Sequence, residues 1–184
     1  MSVLGAIGSV FLGAMLAFVV ENVRERRMLR AWTERYLAAV AGSLVGTETA
    51  APLVRDAVEG TRGAVAALLA EEQPEWEALR DLPILVPPDL LGSLQGSALT
   101  VVDAETVVAL GRVEATAGEL ALRAGRLHDL HGRLVLPLYL ARPERLDESQ
   151  RRGLELFGAE LTDFEAGLGD VTTVVRHALS LLGR

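Results

Sequence analysis

Two histidines in the last third of the chain are the best candidates for a metal-binding or catalytic site. His128 and His131 lie three residues apart, so they can share one face of a helix and ligate a metal ion. A metal-dependent enzyme that uses this pair is therefore one hypothesis. No Glu-x-x-His motif accompanies the pair, which leaves a di-iron helical bundle unsupported. The competing interpretation is structural, because histidines just before Gly132 suit the end of a helix, where positive charge is favoured.

Composition excludes much of the remaining chemistry. The chain has neither lysine nor cysteine, so it cannot form a Walker A site, a lysine Schiff base, a thiol nucleophile, an iron–sulfur cluster or a cysteine zinc site. Its net charge of −7 argues against binding to nucleic-acid phosphates. We therefore predict no catalytic residue, no resident metal and no cofactor.

An apolar N-terminal stretch positions the rest of the chain. Residues 3–20 carry no charge, and as a helix they would extend about 27 Å, close to the ~30 Å hydrocarbon core of a bilayer. The stretch is longer than the apolar part of a signal peptide, and its charges follow it rather than precede it, which favours a retained anchor. We predict a transmembrane helix with a basic collar over residues 1–27 and a helical domain over 28–184.

The collar sets the expected orientation. Its arginines would contact lipid headgroups: Arg24, Arg26, Arg27 and Arg30. Because basic residues near a span stay on the cytoplasmic side, we expect residues 28–184 in the cytoplasm and the N-terminus outside. The arginine-only, alanine- and glycine-rich composition points to a bacterial chain, and hence to the bacterial inner membrane.

Small residues recur every four positions along the predicted span: Gly5, Ser9, Gly13 and Ala17. Such a row forms a groove in which a second helix can pack closely within lipid. The sequence therefore predicts a helix-packing face toward other integral membrane proteins. The alternative is that the row reflects the general abundance of glycine and alanine in membrane helices.

Beyond the collar, apolar residues recur at steps of three and four, the spacing of an amphipathic helix. Four segments show it, two before residue 69 and two after residue 102. We predict an all-α fold in which the membrane helix is followed by an antiparallel bundle. Trp32 is expected in its core, and Pro52 is expected to kink or restart a helix near Thr49. Whether the first soluble helix continues the span is left open by the sequence.

The last two segments have recognisable starts. Asp103 can cap one helix, and Asp147 with Gln150 resembles a capping box for the other. The last segment has two internal glycines, so a break at Asp170 is an alternative to a continuous helix. The apolar run 134–140 is either a buried loop or a partner-facing patch made of Leu134, Val135, Leu136, Leu138, Tyr139 and Leu140.

The stretch F-L-G-A-M-L-A-F-V-V-E-N-V-R-E-R-R at 11–27 resembles an uncharacterised bacterial family of small single-pass membrane proteins. The resemblance continues at W-T-E-R-Y-L (32–37) and at residues 96–110. Members often carry an aromatic residue where this chain has Val23. The resemblance implies a membrane-anchored α-helical protein and implies no activity.

Three hypotheses for function follow. The leading one is a non-enzymatic accessory or assembly subunit of a bacterial membrane protein complex, which binds partner helices through its span and packs its acidic domain on the complex. The second is a homo-oligomeric scaffold or signalling protein in which the same helical seams pair between copies. The third is the metal-dependent enzyme based on His128 and His131.

Overall fold

The structure is a computed structural model and describes residues 3–82 and 102–183. For residues 3–14, 16 and 17 it describes the backbone only. Four α-helices lie in these ranges: α1 (Val3–Leu69), α2 (Ala104–Leu130), α3 (Leu136–Ala141) and α4 (Glu148–Leu181). A 3₁₀ turn at Trp76–Leu79 follows α1, and a π turn at His131–Val135 joins α2 to α3. The described part contains no strand, which confirms the all-α prediction.

Helix α4 is the central element because both other long helices pack on it. Glu48 and Arg62 of α1 pair with Arg176 and Glu165 of α4, so the two helices run antiparallel. On the other side, the Arg123 guanidinium of α2 donates to a carbonyl oxygen of α4. Residues near the start of α2 lie beside the end of α4, so this pair is antiparallel too.

The seams predicted for the last two segments form the core. On α4 the buried positions follow the three-four spacing from Leu154 to Ala178 without interruption, and Phe157 and Phe164 are fully buried. On α2 the same spacing is buried from Leu110 to Leu127. Burial of each large apolar side chain favours folding by about 1.5–3 kcal/mol, so these seams dominate the stability of the bundle.

Both predicted caps are present. Asp103 accepts a hydrogen bond from the Thr106 backbone N–H, and Asp147 forms a complete capping box with Gln150. The backbone and hydroxyl hydrogen bonds from Thr106 lower the pKa of Asp103. This carboxylate therefore remains charged at neutral pH, which suits its place at the positive end of a helix dipole.

Helix α1 corrects two predictions. It runs unbroken from Val3 to Leu69, so of the kink or restart predicted near Thr49 the restart is wrong. Pro52 lies on the exposed side of α1, and there water can satisfy the carbonyl that loses its intrahelical donor. The first two predicted soluble segments are therefore one helix, and it is continuous with the predicted span.

Trp32 is the second correction, since it is 46% exposed and stacks on Tyr36, with ring centroids 5.6 Å apart. The adjacent Thr33 is buried at 3%, so the bundle already covers one face of α1 at this level, and Trp32 lies about 100° around the helix from that face.

The alternative of a break at Asp170 is wrong, because α4 is continuous through its glycines. Gly167 is buried where α2 approaches most closely, and a Cβ there would lie 3.3 Å from a Leu120 methyl carbon. Gly169 has nothing within 4 Å of the same position. The first glycine therefore serves packing, while the second only weakens the helix.

This difference predicts opposite effects for two substitutions. Gly169→Ala should raise the free energy of unfolding by up to about 1 kcal/mol, because glycine is a poor residue in a helix interior. Gly167→Leu should lower it by about 1–3 kcal/mol, because the larger side chain forces α2 and α4 apart. Denaturant unfolding of the full chain in detergent, followed by circular dichroism, measures both. Equal effects of the two substitutions would contradict the packing role of Gly167.

Candidate functional site

The histidine pair does not form one site. His131 is buried, and its Nε2 lies 2.9 Å from the Leu79 carbonyl oxygen, while its ring tilts against Phe157. His128 is exposed, and the intervening Asp129 pairs with Arg133. Within residues 3–82 and 102–183, no three His, Asp or Glu side chains are grouped to hold a metal ion.

The hydrogen bond of His131 has a structural consequence. It ties the 3₁₀ turn that follows α1 to the π turn that follows α2. Thr61 of α1 reaches the same turn, because its hydroxyl donates to the Ala78 carbonyl oxygen at 2.9 Å. These contacts close the end of the bundle that lies farthest from the collar.

Substitution of the two histidines should therefore separate a structural from a metal-binding role. We expect His131→Ala to lower the free energy of unfolding by about 2–3 kcal/mol, through a cavity and an unsatisfied carbonyl. His128→Ala should leave it nearly unchanged. Denaturant unfolding with and without a chelator, together with elemental analysis, tests this. Tightly held metal that both substitutions release would contradict the structural role.

The predicted patch at 134–140 is largely part of the bundle. Val135 and Leu138 are buried in the core, which corrects their assignment to a surface. The segment is helical rather than a loop: the π turn ends at Val135, and α3 begins at Leu136 with Pro137 in its first turn, where the missing N–H breaks no intrahelical bond. Leu134, Leu136 and Tyr139 are partly buried. Of the six residues of the predicted patch, Leu140 alone is exposed, at 73%.

The N-terminal part of α1 stands clear of the bundle. Its described apolar side chains are all exposed: Met15, Phe18, Val19 and Val20, with Phe18 at 72%. Water is a poor environment for so large a contiguous apolar surface, whereas lipid is a good one. The side chains of Gly5, Ser9, Gly13 and Ala17 lie outside the described residues, so the packing face predicted there stays a prediction.

Helix α1 is long and apolar enough to cross a membrane. Among the described residues, the qualifying helix is Phe18–Leu69, and 33% of its apolar window is buried inside the bundle. Buried core helices meet the same length and hydropathy criteria. The exposed side chains of Met15, Phe18, Val19 and Val20 are therefore the stronger sign of association with a membrane.

The arginines of the collar, Arg24, Arg26, Arg27 and Arg30, are all exposed. They surround α1 between the exposed apolar side chains and the first buried residues of the bundle. Arg24 lies four residues beyond Val20, about 6 Å along the helix, and Arg30 lies ten residues beyond it, about 15 Å. With the apolar start in a bilayer, the arginines nearest to Val20 would be within reach of the headgroup layer.

A feature that the sequence analysis missed lies on α1 beyond the collar. Every exposed residue between 38 and 53 is uncharged: Ala38, Ala39, Gly42, Ser43, Val45, Gly46, Thr49, Pro52 and Leu53. We call these residues the α1 outer face. The charged residue of this stretch, Glu48, is partly buried in its pair with Arg176. The sequence shows a single charged residue in these 16 positions, but the apolar core seam beside the α1 outer face hides the pattern.

No protein-family model, curated protein or solved structure matches the chain.

Proposed function

We propose that the protein is a non-enzymatic accessory or assembly subunit of a bacterial membrane protein complex. The observation that carries the proposal is the continuity of α1. One helix joins the exposed apolar residues near its start, the arginine collar and the α1 outer face. A partner helix that packs against α1 in the bilayer could follow it past the collar without a change of direction.

The α1 outer face suits such a contact. Its small residues let a second helix backbone approach closely, and a Cβ added at Gly42 or Gly46 would meet nothing within 4 Å. Its lack of charge removes the cost of desolvating ionised groups. Both properties are unusual for the surface of a chain with a net charge of −7.

The two other hypotheses receive less support. The helical seams that were expected to pair between copies are core positions of a single chain, so they are not available to a second copy. The metal-dependent enzyme would need both histidines at one site, and the bond from His131 to Leu79 holds one of them in the core.

Glycine substitutions on α1 test the proposal. Gly46→Leu should weaken co-purification with integral membrane proteins by about tenfold, since the loss of close helix packing corresponds to about 1–2 kcal/mol. Gly63→Leu is the matched control, because Gly63 is also exposed on α1 with free space around it but lies outside the α1 outer face. Gly13→Leu, with Leu12→Ala as its control, extends the test into the predicted span.

The measurement is native purification in mild detergent, followed by identification of the associated chains. Equal recovery with Gly46→Leu, Gly13→Leu and the wild type would mean that α1 acts as a plain tether. In that case the proposal fails for this helix.

The arginine distribution predicts the orientation proposed here, with residues 28–184 in the cytoplasm. A C-terminal alkaline phosphatase fusion should be inactive, and a C-terminal green fluorescent protein fusion should fluoresce. Moving the four collar arginines to the N-terminus should tend to invert the protein. An active phosphatase on the wild-type chain would place the domain outside the cytoplasm instead.

A further inference from the structure

Helix α2 carries a second apolar seam on the face that points away from α4. The seam keeps the three-four spacing over 18 residues, a rise of about 26 Å: Val108, Gly111, Ala115, Gly118, Leu122 and Gly125. Gly111 is partly buried and the other five are exposed, with Val108 at 56% and Leu122 at 70%. We call these residues the α2 outer seam. Its spacing is that of positions a and d in a coiled coil, but the large residues alternate with small ones.

Charged residues follow one edge of this seam at intervals of seven. Their signs alternate along the helix: Glu105, Arg112, Glu119 and Arg126. All four are exposed, and none forms a salt bridge with another side chain in the described part of the chain. Other exposed charges do pair within their own helices, as Arg152 does with Glu148. The edge therefore presents four charges in the positions that coiled coils use for contacts between helices.

We propose that the α2 outer seam binds the same seam of a second copy of this chain, with the two helices antiparallel. In the symmetric register centred between Ala115 and Gly118, Val108 lies opposite Gly125 of the second copy. Leu122 likewise lies opposite Gly111 of the second copy. Each large side chain thus meets a glycine, and the central layers contain only alanine and glycine, which lets the backbones approach closely.

The same register also matches the charges. It brings Arg112 to nearly the same level along the helix axis as Glu119 of the second copy. Glu105 likewise lies at nearly the same level as Arg126 of the second copy. Because the pair has two-fold symmetry, each contact occurs twice, so all eight edge charges of the two helices find an opposite charge. Complementary charges of this kind determine partner and orientation in coiled coils more than they add affinity.

A parallel arrangement lacks both properties. It would place Leu122 against Leu122 and glycine against glycine, which leaves gaps beside the large side chains. Arg112 and Glu119 would differ in height by seven residues, about 10 Å, too far for an ion pair. One pair of short helices also contacts less area than the ~1,600 Å² of a standard interface, so we expect a reversible dimer.

The pairing has a consequence that rests on the proposed membrane anchor. Helices α1 and α2 run in the same direction, because each is antiparallel to α4. Two copies in one bilayer are therefore parallel, and an antiparallel pair joins copies from two facing bilayers. Residues 34–41 of α1 lie beside Asp103 at the start of α2. The rise of α1 from Val20 to this level and the rise of α2 from Asp103 to Ala115 together give roughly 45 Å. The two hydrocarbon cores would therefore be separated by twice this distance, roughly 90 Å.

Cross-linking of the full chain in detergent tests the register directly, because the chain has no cysteine of its own. Val108→Cys protein mixed with Gly125→Cys protein should form a disulfide-linked heterodimer under mild oxidation. Val108→Cys protein alone should not cross-link, since its two cysteines would lie about 25 Å apart in the antiparallel pair. Cross-linking of Val108→Cys alone, without the heterodimer, would overturn the antiparallel arrangement.

Charge reversal tests the contact without changing the apolar seam. Arg112→Glu or Glu119→Arg alone should weaken dimerisation of the full chain by about tenfold, measured by analytical ultracentrifugation in detergent. The double variant should recover wild-type association, because it restores opposite charges at both contacts. Equal association of the wild type and both single variants would overturn the proposal, as would a wild-type chain that stays monomeric.

These tests are independent of the proposed subunit role. Gly46→Leu alters the α1 outer face and should leave dimerisation unchanged, so the two proposals can fail separately. Vesicles that carry the full chain should cluster, and vesicles with Arg112→Glu should cluster much less. Chains that dimerise in detergent but do not cluster vesicles would overturn the bridging of two bilayers while leaving the antiparallel contact intact.

Discussion

Helix α4 buries a side chain at nearly every third or fourth position between Leu154 and Ala178, and both α1 and α2 pack against it. An amphipathic helix in isolation would expose this seam to water, so α4 needs its two neighbours as much as they need it. The close approach at Gly167 shows how tight the contact is on the α2 side. The arrangement of the helices in the bundle follows from the burial of this seam of α4 between α1 and α2.

The support from α4 explains how α1 can be so long. A helix of 67 residues with several glycines and one proline would be weakened at each of those positions. Beyond Val40, packing on α4 compensates for the glycines, and Pro52 lies where water can reach the freed carbonyl. The N-terminal part of α1 has no such support from the bundle, and a bilayer would favour its helical form by leaving the backbone no other hydrogen-bonding partner.

Two surfaces stand out because an acidic chain leaves them without charge. The α1 outer face consists mostly of small residues, with Val45 and Leu53 as its large apolar side chains, and it lies in line with the exposed apolar residues near the start of α1, which would suit a partner from the same membrane. The α2 outer seam has large and small residues in alternation and an edge of alternating charges, which suits its own copy. The contrast is chemical: one surface offers close backbone approach alone, and the other also offers a means to select orientation.

The sequence alone determined the features that depend on residues close together along the chain. Spacing identified the core seams of α2 and α4, because a single helix buries one face whatever its neighbours are. The caps at Asp103 and Asp147 follow from contacts within four residues. The apolar start and the arginine collar were likewise evident as a local pattern.

Which helix faces are covered and which remain free depends on contacts between residues far apart along the chain. The exposure of Trp32 and the passage of α1 through Pro52 depend on which face of α1 the bundle covers, because both residues lie on the uncovered side. His131 became a core residue because Leu79, 52 positions away, lies beside its ring. The two uncharged outer surfaces could not be separated from the core seams by periodicity, because both repeat at three and four residues. The packing of α4 determines which set is buried.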